Sequence, residues 1–276
     1  MSMEFSILLV GHGSRAKQGN VEIDAFADQW RAQHPEWHID VCFIEFADVL
    51  LDAGFDQAAK KSQKVLVVPL ILNAAGHVKM EIPEHLAKAR KRHPEVEFIY
   101  AAHIGANDAV LSILKRNLQK VMSELAVPDP KSTGVIVLGR GSSDKVANSE
   151  VAKMARWLWE ETHHELVDIA FTGITFPRLE TAVQRQVKLG MTQICILPYY
   201  LFTGTLIERI SKQFERLQAQ YPQISFALGN YFGFEPEIYS ILDKRVLALL
   251  ADQPAQMMEC DGCYYRQIAQ EHGHGH

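Results

Sequence analysis

The sequence predicts an α/β fold made of two duplicated units, each a mainly parallel four-stranded sheet flanked by helices. Short apolar runs alternate along the chain with longer amphipathic stretches, which is the pattern of strand–helix–strand units with a parallel sheet. The two halves also overlay. "ILLVGHGSR" matches "VIVLGRGSS" and sets His12 over Arg140, while "VLVVPLILNAAGH" matches "ICILPYYLFTGT" and sets Pro69 over Pro198, at offsets of 128 and 129. Two landmarks at nearly one offset indicate duplication of a four-strand unit.

The first half carries strand candidates at Phe5 to Val10, Ile39 to Phe46, Lys64 to Leu72 and Val96 to Ala101. The second carries them at Gly134 to Leu138, Leu166 to Phe171, Gln193 to Leu201 and Ser225 to Asn230. Each run is apolar, short and followed by a helical stretch. "AVPDPKST", Ala126 to Thr133, has two prolines and polar residues and reads as the join. The expected division is therefore residues 1–126, residues 133–251 and a tail, 252–276, that lacks either period.

The 276 residues include 28 Lys plus Arg against 33 Asp plus Glu, a formal charge of -5, with 47% hydrophobic and 22% charged side chains. That composition builds a core and excludes a disordered scaffold. An acidic chain without a concentrated basic face argues against a nucleic-acid partner. No apolar run reaches the ~18 residues of a membrane span, and the amino terminus lacks a secretory pattern, so a cytoplasmic enzyme is expected. Cys42 and Cys195 sit in apolar runs and read as buried reduced thiols.

In an open parallel sheet, ligands bind beyond the carboxyl ends of the strands. His12 follows the first strand, Glu45 ends the second and His77 lies in the loop after the third, so the three converge on one rim. Imidazole with carboxylate suits iron, cobalt, nickel or zinc. "GHGSRA" also satisfies G-x-G-x-x-A, the mark of a dinucleotide site, but the nearest acidic residue at the second strand, Glu45, comes later than the usual ~20 residues. No P-loop and no H-E-x-x-H occur. In the second half Arg140 replaces His12, Thr175 falls near Glu45, and "FTGTLIERI" has no histidine.

"LLVGHGSR", "FIEFAD" and "VVPLILNAAGHVKMEIPEHL", in that order, resemble the class II sirohydrochlorin chelatases, in the long two-half form of the CbiX-type cobaltochelatases. The resemblance covers about residues 4 to 250 and implies two chelatase-like units. It implies ATP-independent insertion of a divalent metal, Co2+ before Fe2+ or Ni2+, into sirohydrochlorin in cobalamin or sirohaem synthesis. His12 and His77 would be metal ligands and proton acceptors, assisted by Glu45. A sirohydrochlorin ferrochelatase and a non-catalytic metal or tetrapyrrole carrier are the alternatives.

A polycarboxylate macrocycle calls for local positive charge and hydrogen-bond donors, for which Ser14, Arg15, Lys79, Arg140, Ser142, Ser143 and Arg209 are the substrate-binding candidates. In the tail, Cys260 and Cys263 form the M-x-C-x-x-C pattern that resembles an iron-sulfur segment of some long members. Two thiolates cannot close a four-cysteine site, so a cluster there would need further ligands. His272, His274 and His276 alternate with glycine in the manner of a native metal-binding end. With two units in one chain, a monomer is feasible and a homodimer is the alternative.

Overall fold

Residues 5–251 of the computed structural model are described here. The first sheet contains β1 (Ser6–Gly11), β2 (Ile39–Phe43), β3 (Lys64–Pro69) and β4 (Glu97–Tyr100), in the order β2-β1-β3-β4. Between them run α1 (Lys17–Gln33), α2 (Leu51–Ala59), and a π turn (His77–Glu81) that leads into α3 (Ile82–Arg92). After α4 (Asp108–Ser123) the pattern repeats with β5 (Thr133–Gly139), α5 (Lys145–Glu160), β6 (Val167–Phe171), α6 (Leu179–Lys188), β7 (Gln193–Pro198), α7 (Thr205–Gln220), β8 (Ser225–Leu228) and α8 (Pro236–Leu250). The second sheet has the equivalent order, β6-β5-β7-β8. Every pairing is parallel, so the sheets are wholly rather than mainly parallel.

All eight expected strands form; six are shortened by one to three residues at an end, β5 extends one residue further at each end, and β1 is shifted by one residue. Every residue of β1 and β5 is buried, as befits central strands covered on both faces. Side chains alternate between those faces. Leu8 and Val10 join Phe55 of α2 and Leu86 of α3 in one cluster, while Ile7 and Leu9, equally buried, point the other way. Cys42 and Cys195 are buried free thiols. Burial pushes the Cys195 thiol up to about 12, with Glu124 acting in the same direction. Among the described residues no helix is long and apolar enough to cross a membrane.

The compact units do not follow the two halves of the sequence. Residues up to Gly105 pack with the described residues from Ile238 onward, and Ala106–Glu237 form the other unit. The last helix of each half is thus exchanged. Helix α4 packs on β7, β8 and α5, and Asn107 caps it by accepting from the Ala109 and Val110 amides. Helix α8 lies with the first sheet, where Tyr239 stacks on Phe26 with centroids 4.1 Å apart. Asp243 accepts from the indole of the fully buried Trp30 at 2.8 Å, giving that ring the polar partner it needs.

His164, between α5 and β6, is buried and neither ring nitrogen has a hydrogen-bond partner among the described residues. Burial holds its pKa below the ordinary imidazole value; Asp129 opposes this and His163 reinforces it. The unfolded chain then takes up a proton that the folded one resists, so stability falls as pH drops below about 6.5. Between about pH 7.5 and 5.5, the thermal midpoint of the wild type should fall more steeply than that of His164→Phe. Equal slopes would remove His164 from the account.

Candidate metal centre

His12 stands in the loop after β1, held against the loop after β2. The Glu45 amide donates to the His12 carbonyl at 3.1 Å, and the Ile44 amide to the Gly11 carbonyl at 3.0 Å. Gly13 makes this approach feasible. Its φ is +87°, and a Cβ there would overlap the Glu45 carbonyl oxygen, so both its backbone freedom and its missing side chain are used. Asn20 clasps the same two loops, accepting from the Ser14 amide at 2.8 Å and donating to the Phe46 carbonyl at 2.8 Å. Phe46 itself has φ +55°, and the Arg15 guanidinium lies over its ring at 4.8 Å.

His77 opens the π turn after β3. Its ring meets that of His12 edge-on, with centroids 4.5 Å apart and planes at 80°. Donor atoms of His12, Glu45 and His77 all lie within 4.8 Å of one another. The side chains are 29%, 35% and 33% exposed, respectively, so an ion could reach them from solvent. His12 Nδ1 lies 3.1 Å from the Gly13 carbonyl and 3.6 Å from Glu45 Oε1. His77 Nδ1 lies 2.5 Å from Glu81 Oε2. Carbonyl and carboxylate oxygens accept, so Nδ1 donates in each of these contacts, and the His77 Nε2 lone pair faces away from Glu81.

The three residues expected to converge do so, with one adjustment. β2 ends at Phe43, so Glu45 lies in the loop beyond the strand. Arg15 is exposed, whereas Lys79 is 7% exposed on the π turn and is no open rim cation. The Ser14 and Ser142 hydroxyls already accept from the Ala16 and Asp144 amides, tightening their turns. Glu81 was missed: in the sequence its acidity reads as helix-opening charge. The His-x-x-x-Glu spacing in "HVKME" was the available signal. Cys260, Cys263, His272, His274 and His276 lie outside the described residues.

The second unit repeats the loop architecture without the donors. Gly141 has φ +85° and is approached by the Gly173 carbonyl, and Asn148 clasps Ser142 as Asn20 clasps Ser14. The Gly173 amide donates to the Arg140 carbonyl, making Gly173 rather than Thr175 the counterpart of Glu45. Arg140 and Arg209 share a neighbourhood at Tyr200. Burial pushes that phenol up to about 12, while a hydrogen bond with Thr172 and the two guanidiniums pull the other way.

The same geometry decides against a dinucleotide at "GHGSRA". The close approach that Gly13 permits is taken by the Glu45 carbonyl inside the protein. Helix α1 starts only at Lys17, which separates the glycines from the helix amino terminus that a pyrophosphate would use.

The family model described as CbiX matches residues 6–121 and, a second time, 134–249. A sirohydrochlorin cobaltochelatase of Priestia megaterium is 40% identical over 97% of this chain and 86% of its own length. A sirohydrochlorin ferrochelatase of Bacillus subtilis strain 168 is 30% identical over 97% of this chain and 100% of its own. The solved structure of SirB from Bacillus subtilis with Fe3+ superposes with a TM-score of 0.78 at 30% identity, covering 93% of this chain and 99% of that one.

Proposed function

The chain belongs to the CbiX family, and on that premise we propose that it inserts a divalent metal ion into sirohydrochlorin, without ATP, in tetrapyrrole biosynthesis. The observation that carries this reading is the convergence of two imidazoles and a carboxylate within 4.8 Å on one rim. The ion is substrate, and three side-chain donors leave positions open for the incoming macrocycle.

Insertion exchanges one divalent ion for two pyrrole N–H protons, so the site has to hold a metal and accept protons. The imidazoles of His12 and His77 suit both tasks, since neutral imidazole is a ligand and a base near neutrality. Glu45 supplies one negative charge to the ion. Nitrogen and oxygen donors hold a borderline ion less firmly than thiolates would, which favours release into a macrocycle that offers four nitrogens. Arg15, in the loop beside His12, supplies positive charge for the substrate carboxylates; Arg140, in the loop after β5, and Arg209, on α7, are the second unit's cationic candidates.

Cobalt is the metal in this reading, on the likeness to the Priestia megaterium cobaltochelatase. A cytoplasmic monomer completes it, because one chain already contains two family units. Incubating the protein anaerobically with sirohydrochlorin and Co2+, Fe2+ or Ni2+ in turn, while following the absorbance, should give multiple turnovers, fastest with Co2+. Uptake that stops at one equivalent would identify a carrier. Faster turnover with Fe2+ would make it a ferrochelatase.

A further inference from the structure

We propose that Glu81 is a positioning residue for metal capture, acting through His77. This rests on the reading above that His77 is a metal donor. A histidine ligand is well oriented when its other nitrogen is held by a carboxylate or carbonyl, which fixes both ring angle and tautomer. Glu81 Oε2 accepts from His77 Nδ1 at 2.5 Å, directing Nε2 away from Glu81. The Gly13 carbonyl holds the His12 Nδ1 in the corresponding way, at 3.1 Å.

The backbone under this pair is a π turn. In the π turn the Ile82 amide donates to the His77 carbonyl, not to that of Val78 as an α turn would require. The Val78 carbonyl instead accepts from the buried Tyr100 hydroxyl on β4, at 3.3 Å. Pro83 follows at once and could not continue an amide ladder from its own nitrogen. π turns of this kind occur frequently at functional sites.

The second unit is an internal control. The register pairs Tyr100 with Val67 and Leu228 with Ile196, so Leu228 stands where Tyr100 does and has no hydroxyl. There α7 runs its full sixteen residues as a regular α-helix. Where the second unit has no counterpart of His77, it lacks the Tyr100 hydroxyl, the π turn and the Glu81 carboxylate as well.

The test is titration of the metal-free protein with Co2+, read from the visible absorption of the bound ion, together with steady-state insertion. Glu81→Ala should weaken Co2+ binding by about 10–100-fold and raise the KM for the metal in parallel, with a smaller change in kcat. Glu81→Gln, whose amide oxygen can still accept the Nδ1 proton, should stay close to wild type. The Glu81 side chain is 40% exposed, and unchanged thermal unfolding would confirm intact variants. The inference is overturned if Glu81→Ala binds Co2+ as tightly as wild type while His77→Ala does not. It is also overturned if Gln is as weak as Ala, since charge rather than orientation would then matter. If His77→Ala itself keeps full Co2+ affinity, the underlying site reading fails first.

Discussion

His12→Ala and His77→Ala are each expected to slow metal insertion by about 10²- to 10⁴-fold, the range for removing a positioned acid–base group. Both rings are roughly two-thirds buried, His12 on a loop and His77 on the π turn, outside the sheet core, so the circular dichroism and thermal midpoint should hardly move. In the proposed site the two imidazoles would share one ion, their ring centroids lying 4.5 Å apart. Their effects should therefore be non-additive, the double variant falling little below the worse single one. Direct measurement is by initial insertion rate with sirohydrochlorin and Co2+. Wild-type rates in a folded single variant would refute the assignment of that histidine.

Gly13→Ala is expected to damage the site without touching a donor atom. The added Cβ would collide with the Glu45 carbonyl oxygen, and φ +87° is already a conformation that an L side chain resists, at a cost of about 1–2 kcal/mol before any collision. Relief requires the two loops to part, which moves His12 away from Glu45. Co2+ affinity should fall by at least about tenfold, since each ~1.4 kcal/mol of lost geometry is a factor of ten. Gly141→Ala carries the same two penalties in the second unit, against the Gly173 carbonyl. It should cost comparable stability while leaving Co2+ affinity intact, and calorimetry of both variants separates the effects. Equal losses of affinity in the two would show that strain, not donor geometry, is being read.

Much of the site was legible because chain position is informative in a parallel sheet. His12 and His77 follow adjacent central strands, β1 and β3, whose carboxyl ends share one edge. Glu45 was legible for the same reason through β2, although its strand ends three residues earlier than the apolar run suggests. Lys79 was not legible. Its charge reads as solvated, and only the π turn places it among buried residues. Gly173 was obscured too, because the second loop aligns by its backbone hydrogen bond to Arg140 rather than by any side chain.

By itself the sequence determined the eight strands, their duplication and the convergence of His12, Glu45 and His77, because strand periodicity and strand-end position are local properties of a chain. Tertiary structure alone decided two further things. The exchange of α4 and α8 between units is invisible locally, since an amphipathic stripe specifies that a helix is covered but not which sheet covers it. The π turn that carries His77 and Glu81 leaves the Val78 carbonyl to a hydroxyl from β4, that of Tyr100. Such a bond joins residues 22 positions apart and has no period to reveal it.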